Sequence, residues 1–241
     1  MNKILEYLKQ LFNKKQSRNT KSQDIDHIVD NSEDVSNLKK PITCPDNMQD
    51  YEYKFLMAKI NDSSRTILLK KAEIIINNSL EYNKVAYSLS LKPIVFGNET
   101  IDPWIFIAAI HNQESSRDVG VFKACLHNGE RIIGTGKKTT IVPIGKGPFE
   151  TWSDAAIDAL GENRRLINGK LTTLGAWLEM LEAYNGLGYR KHGVSSPYLW
   201  AMTDQYTKGY YAGDHNFQPN LVTDHFGAVA IIKTITQLKR A

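Results

Sequence analysis

A glutamate ends an apolar helical segment, where a charged side chain is unexpected. Residues 101–116 read IDPWIFIAAIHNQESS, and Ile107, Ile110 and Glu114 fall on one helical face. Partial burial and the negative end of the helix dipole both raise the pKa of such a carboxyl. A carboxyl that stays protonated near neutral pH can protonate a leaving sugar oxygen, so the pattern indicates general-acid cleavage of a glycoside. The alternative is that Glu114 only caps the helix or pairs with Arg117.

Helices are predicted on both sides of this segment, and they must position Glu114. Asp102 is a suitable N-cap and Pro103 a suitable first residue for the Glu114 helix. Thr151 and Asp154 form a capping box for another helix. Apolar residues at three- and four-residue intervals, or helix start and stop signals, predict the remaining helices at residues 48–60, 64–90, 173–186, 197–209 and 221–238.

The one β element is expected between these helices. Residues 121–135, VFKACLHNGERIIGT, are typical of a hairpin that turns at Asn128-Gly129 and has Cys125 in a strand. Its tip would bring His127 to the wall of a groove opposite Glu114, as a substrate contact. The predicted fold class is therefore α+β, predominantly helical, with one small β-hairpin region.

Several motifs resemble the lysozyme-like superfamily of goose-type lysozymes and lytic transglycosylases. In that superfamily a Glu-Ser pair ends the catalytic helix and an Ala-Tyr-Asn triplet ends a later one, and this chain has Glu114-Ser115 and Ala183-Tyr184-Asn185. A group of phage and bacterial proteins regarded as lysozymes or endolysins is more closely similar. The segments that carry this resemblance are LHNGE (126–130), TTIVPIGKGPF (139–149), WSDAAIDAL (152–160), LEAYNGLGYRKHGVSSPYLWAMTDQYTKG (181–209) and FGAVAIIK (226–233).

The resemblance implies a lysozyme-like fold and a muramidase that cleaves the β-1,4 bond between N-acetylmuramic acid and N-acetylglucosamine. Glu114 matches the catalytic acid, with Ser115, Tyr184 and Asn185 beside the substrate. The Gly-Leu-Met or Met-Gln stretch that follows Glu-Ser in transglycosylases is missing, so a lytic transglycosylase with anhydro-muramic products is the alternative. A hydrolase needs a group that activates water, and Glu130, Asp118 and Asp204 are candidates among which sequence does not choose.

An aromatic cluster between residues 184 and 211 is suited to a sugar groove, because flat rings with polar tips stack on sugars and donate hydrogen bonds. We predict Tyr198 and Tyr206 as substrate contacts. The alternative is that about half of these rings are core residues, Trp200 and Tyr206 among them. The cluster comprises Tyr184, Tyr189, Tyr198, Trp200, Tyr206, Tyr210 and Tyr211.

Composition suggests one domain with an N-terminal extension. The 241 residues carry a formal charge of +4, compatible with an acidic wall polymer, and no nucleic-acid-binding motif is present. Residues 1–16 are predicted as a basic amphipathic helix that could contact a membrane surface or a protein partner, residues 17–45 as a polar linker, and residues 46–241 as the lysozyme-like domain. No signal peptide or transmembrane stretch is seen, so we expect delivery to the wall by a phage or secretion system.

Other functions have weaker support in the sequence. His111, His127, His192, His215 and His225 lie in no zinc motif, so no metal or cofactor is predicted. A cysteine peptidase would need Cys125 at a helix N-terminus rather than in a strand. Cys44 and Cys125 are expected to be free thiols, although a single bridge between them is open. The remaining alternative is a non-catalytic cell-wall-binding or interaction module with a lysozyme fold.

Overall fold

The computed structural model describes residues 50–163, 166, 168–213 and 215–240, and the predicted helix at 1–16 and linker at 17–45 lie outside them. This part is α+β and about half helical, which confirms the predicted class. No helix in the described ranges is long and apolar enough to cross a bilayer. The elements are α1 Asp50–Met57, α2 Arg65–Asn77, α3 Ser79–Ser88, β1 Ile94–Phe96, β2 Glu99–Ile101, α4 Pro103–Ser115, α5 Trp152–Gly161, α6 Leu174–Asn185, α7 Pro197–Trp200, β3 Tyr210–Tyr211, β4 Phe217–Gln218 and α8 Ala228–Arg240.

Helix α4 forms the centre of the core. Its residues 103–112 are all buried, and it packs against α3 and α8. Phe106 stacks on Trp177 of α6 with ring centroids 4.4 Å apart. Asp102 does occupy the N-cap position, but its carboxylate pairs with Lys239 of α8 instead of capping the helix. The helix that ends in Glu114 is thus held on several sides by the core.

Three helix boundaries differ from the prediction, because side chains and tertiary contacts compete with the helical backbone. The segment 64–90 is two helices that break at Asn78, whose Nδ2 donates to Ile74 O at 2.8 Å. Helix α7 stops at Trp200 instead of continuing to 209, and Met202 takes a φ of 62°. Beyond it, Asp204 N donates to Lys59 O at 2.9 Å, so the chain pairs with the segment before α2. The last helix begins at residue 228 rather than 221.

The strands of the predicted hairpin at 121–135 do not form, although the chain does turn at Asn128-Gly129, where Cys125 N donates to Glu130 O at 2.9 Å. Residues 121–135 contain no strand, and the chain there makes turns around the buried carboxylate of Asp118. This carboxylate accepts the backbone N–H groups of Lys123 and Ala124 at 2.9 to 3.0 Å, so these groups are satisfied without a partner strand. Cys125 is a buried free thiol in this turn region, not a strand residue. The two small antiparallel sheets, β1–β2 and β3–β4, lie elsewhere.

Helices α7 and α8 approach each other closely at Gly227, just before α8 begins. A Cβ at this position would lie 2.7 Å from both the N atom of Ala201 and the O atom of Leu199. The adjacent Phe226 O accepts a hydrogen bond from Gln113 Nε2 of α4. The start of α8 is therefore fixed against the ends of both α4 and α7.

Candidate active site

A cavity of about 440 Å³ opens where the C-terminal ends of α4 and α6 meet the start of α7 and the β3–β4 region. Its described lining combines one carboxyl group, two amides, four tyrosines and two histidines, as expected of a binding site for a polar ligand with flat faces. The cavity is lined by Gln113, Glu114, Asn185, Gly186, Gly188, Tyr189, Pro197, Tyr198, Tyr210, Tyr211, Gly213, His215, Thr223 and His225.

Glu114 lies in the cavity at the end of α4. Solvent reaches its side chain, although protein surrounds it on most sides, as is usual for a group inside a cleft. This burial raises the pKa of Glu114 above its usual value, while a hydrogen bond from Tyr198 lowers it by less. Tyr198 Oη donates to Glu114 Oε1 at 2.9 Å, and no described residue forms a hydrogen bond with Oε2. One oxygen of the carboxyl is held, and the other can face a ligand.

Tyr198 is presented by α7, where Ser196 and Pro197 open a single helical turn. The ring is 8% exposed, and burial together with the charge of Glu114 raises the pKa of Tyr198 well above its usual value. The hydroxyl therefore stays protonated at all physiological pH values and acts as a hydrogen-bond donor. Its role in the structure is to orient Glu114, a contact that sequence reasoning did not identify.

Helix α6 brings Tyr184 and Asn185 to the same place. The helix ends at Asn185, and Gly186 turns the chain with a φ of 94°, a conformation that favours glycine. Asn185 lines the cavity and is exposed to it. Tyr184 does not line the cavity, but burial and the nearby charge of Glu114 raise its pKa. The structure thus brings Glu114 and Asn185 to one cavity, with Tyr184 immediately behind them.

Two tyrosines on one side of the cavity form an aromatic wall with residues behind them. Tyr189 and Tyr211 pack edge to face with centroids 5.1 Å apart, and Tyr211 N donates to Tyr189 Oη at 3.3 Å. His192 stacks on Phe217 at 3.8 Å and shares a 3.0 Å hydrogen bond with Tyr211 Oη. The short strands β3 and β4 therefore matter because they fix the position of this wall.

Besides Tyr184, three more predicted substrate contacts do not line the cavity. Without the hairpin, His127 is buried against Phe149, and its Nε2 is 2.7 Å from Asp158 Oδ2. Tyr206 is a core residue whose hydroxyl donates to Gly209 O at 3.2 Å. Ser115 lies one residue beyond Glu114 but faces the turn at Gly129 instead.

None of the three candidate second carboxylates lines the cavity either. Asp118 is 1% exposed and saturated by hydrogen bonds. Hydrogen bonds from Thr140 and the N–H of Ile141 lower the pKa of Glu130 to about 2, so it is a loop anchor. Asp204 accepts the N–H of Lys59 at 2.9 Å. Among the described lining residues, Glu114 is the only carboxyl group.

Other lining residues were missed by sequence reasoning, mainly those between positions 213 and 225. This segment has no helical periodicity, so nothing in it marks Thr223 or His225 as neighbours of Glu114. Tyr210 Oη and His225 Nδ1 are 3.4 Å apart, and both line the cavity. In the described ranges, no three His, Cys, Asp or Glu side chains converge as a metal site would require.

No protein-family model, curated protein or solved structure matches the chain. The function therefore has to be inferred from the residues of the cavity and the sequence motifs that supply them.

Proposed function

We propose that this chain is a peptidoglycan-cleaving glycosidase, a muramidase with a lysozyme-like fold that acts on the β-1,4 bond between N-acetylmuramic acid and N-acetylglucosamine. One observation carries the proposal: Glu114, with a raised pKa and one oxygen held by Tyr198, lies in a tyrosine-lined cavity together with Asn185. The Glu114-Ser115 and Ala183-Tyr184-Asn185 motifs support it, because the same helix ends that carry them meet at this cavity.

Proton transfer by Glu114 is the central step. The protonated carboxyl gives its proton to the glycosidic oxygen, and the electrons of the breaking C1–O bond move to that oxygen, so the leaving sugar departs as an alcohol. Glu114 becomes a carboxylate beside the positive charge that develops at C1. Tyr198 then donates its hydrogen bond to a fully charged oxygen, which strengthens the bond as the reaction proceeds.

The remaining cavity residues bind the glycan. The Asn185 amide can both donate to and accept from an N-acetyl group, which is the group that distinguishes this polymer from most others. Tyr189 and Tyr211 supply ring faces and edges for the sugar planes. The cationic balance of the chain, +4, favours an acidic wall over a neutral glycan.

A lytic transglycosylase is the second candidate, and a specific observation favours it. A water molecule that attacks C1 needs activation, usually by a second carboxylate, and Glu114 is the only one among the described lining residues. Attack by the 6-hydroxyl of the same muramic acid needs only Glu114, which can take back the proton that this hydroxyl loses. The product would then carry an anhydro-muramic end.

Digestion of purified peptidoglycan tests the proposal. We expect Glu114→Gln to reduce the rate by about 10²- to 10⁴-fold, because the amide cannot donate the proton in the same way. The matched control is Glu150→Gln, which changes an exposed carboxyl that does not line the cavity. Mass spectrometry of the fragments separates reducing muramic ends, formed by hydrolysis, from anhydro ends.

Two outcomes would contradict the proposal. Equal rates for wild type and Glu114→Gln would remove Glu114 from catalysis. A wild-type protein that sediments with peptidoglycan but releases no fragments would identify a cell-wall-binding module instead.

A further inference from the structure

Residues 139–146 form a loop that presents three large aliphatic side chains to solvent. Ile141, Val142 and Ile144 are 58%, 76% and 72% exposed. Single exposed aliphatic residues are common on protein surfaces, but three within four positions form a continuous apolar tip. Such a tip is unfavourable in water, which suggests that it contacts something apolar.

The loop is held in shape from its base. The Glu130 carboxylate accepts the N–H groups of Thr140 and Ile141 at 2.9 to 3.0 Å. Asn128 Nδ2 donates to Ile141 O at 2.9 Å. On the other side, Thr139 Oγ1 donates to Pro143 O at 2.5 Å and accepts from Lys146 N at 3.0 Å. These bonds stabilise the backbone with the apolar side chains pointing away from the protein.

The charged residues next to the tip in sequence are all lysines, whereas the Glu130 carboxylate at its base is engaged with backbone N–H groups. Lys137 and Lys138 precede it, both are exposed, and neither forms an ion pair with a described residue. Lys146 follows it and pairs with Asp158 and Glu162 of the α5 region. The sequence has no acidic residue from 131 to 149. Two free cations therefore flank an apolar projection.

We propose that this loop inserts into the interfacial region of an anionic lipid bilayer, with Ile141, Val142 and Ile144 among the acyl chains and Lys137 and Lys138 on the phosphate headgroups. Exposed aliphatic residues beside lysines match such an interface. A protein partner is less well matched, since the tip has none of the Trp, Tyr or Arg residues that dominate protein interfaces. This inference does not depend on the proposed glycosidase activity.

The position of the loop relative to α4 determines what a bilayer contact would do to the cavity. Glu130, which holds the loop, follows Gly129, and a Cβ on Gly129 would lie 4.0 Å from Ser115 Oγ at the end of α4. The base of the loop is thus adjacent to the helix that carries Glu114. A bilayer contact through this loop would keep the cavity close to a membrane surface.

Vesicle co-sedimentation of the full-length chain tests the inference. The predicted amphipathic segment at residues 1–16 could bind lipid too, so every protein carries Leu5→Ser and Leu8→Ser. The parent should sediment with phosphatidylcholine vesicles that contain phosphatidylglycerol, and Val142→Ser with Ile144→Ser should weaken partitioning about ten-fold or more. The control, Leu80→Ser with Val95→Ser, removes aliphatic side chains of similar exposure (68% and 72%) elsewhere and should leave partitioning unchanged.

A second pair of substitutions tests the contribution of the two lysines to lipid binding. Lys137→Glu with Lys138→Glu should abolish the preference for phosphatidylglycerol over pure phosphatidylcholine, while Lys92→Glu at another exposed site should reduce it only slightly.

Three results would overturn the inference. The first is a parent protein that does not sediment with vesicles. The second is a loop variant that sediments as well as the parent. The third is a parent protein that does not bind vesicles and instead forms oligomers in light scattering. If the loop variant forms no such oligomers, the tip is a protein contact.

Discussion

Two carboxyl groups at the same end of α4 have opposite environments. Glu114 is reached by solvent and accepts a hydrogen bond from Tyr198, and the surrounding protein raises its pKa. Asp118 is 1% exposed and accepts bonds from Lys123 N, Ala124 N and Arg131 Nη1, with His111 Nε2 at 3.4 Å. Burial alone would raise the pKa of Asp118 as well, but the hydrogen bonds outweigh it and the pKa is lowered.

The comparison shows that exposure does not decide which acid keeps its proton. The group with less solvent exposure is the stronger acid, because donors surround its charged form. Glu114 has too few donors to stabilise its anion, and this deficit is what makes it useful as a proton donor. Asp118 is instead the centre that organises residues 118–131. One carboxyl is thus available for chemistry, and the other stabilises the fold.

The largest expected effect is the loss of stability caused by Asp118→Ala. It leaves buried N–H groups and the Arg131 guanidinium without an acceptor, so we expect a loss of about 3 kcal/mol or more of unfolding free energy. Glu150→Ala, at an exposed carboxyl, should change it by about 0.5 kcal/mol or less. Urea denaturation measures both, and a loss below about 1 kcal/mol for Asp118→Ala would contradict this account of the turn region.

The pH dependence of stability provides the second effect. A lowered pKa in the folded state means that Asp118 contributes stability above its unfolded value, 3.8, and loses it as the pH falls through its folded pKa. Wild type should therefore lose stability below pH 3.8 more steeply than Asp118→Asn. Thermal unfolding across acidic pH values measures the two slopes. Parallel curves would mean that Asp118 is not the titrating group.

The third effect concerns activity, under the proposed function. Tyr198→Phe removes the hydrogen bond that lowers the pKa of Glu114, so this pKa should rise further. Activity falls as the general acid ionises, and the alkaline limb of the pH–rate profile should therefore move to higher pH. Tyr206→Phe removes a tyrosyl hydroxyl that is bonded to Gly209 O instead and should leave the limb in place. A limb that moves to lower pH in Tyr198→Phe would refute the assigned role of this bond.

The smallest expected effect is the stability gain from Glu114→Gln. Because the pKa of Glu114 is raised, its stabilising contribution is complete below 4.5 and is lost as the pH rises through the folded pKa. An uncharged amide avoids this loss, so the variant should be slightly more stable at neutral pH and equal to wild type in acid. Solvent reaches the carboxyl and screens it, so we expect about 0.5 kcal/mol or less. A variant that is less stable at neutral pH would show that the anion is favoured in the fold.

The helices could be predicted because their signals are local. The capping box of Thr151 and Asp154 is present as expected, and α4, α5 and α6 begin and end within a residue or two of their predicted bounds. The hairpin at 121–135 was wrong because its turn signal, Asn128-Gly129, cannot reveal that Asp118 captures the backbone donors. These bonds span only five or six residues, but they depend on the burial of Asp118 beside His111, which the turn signal does not show.

In the candidate site, too, some residues could be predicted from local signals and others could not. Glu114 could be singled out because it ends an apolar helix, and Asn185 because it ends another. The placement of His127 failed because it was inferred from the hairpin strands, which do not form, whereas Tyr206 is a core residue, the alternative stated for it. Tyr198 was predicted to touch substrate and lines the cavity, but its bond to Glu114 depends on how α7 packs against α6 and α8, which sequence spacing does not give.

The tight approach at Gly227 limits how this protein can vary over evolutionary time. Its backbone angles suit any residue, so the restriction comes only from the space taken by Leu199 and Ala201. An added methyl group would push α8 outward, and Phe226, which bonds to the residue before Glu114, would move with it. Exposed faces of the domain can accumulate substitutions, but in a saturation library scored for activity this position should retain glycine alone.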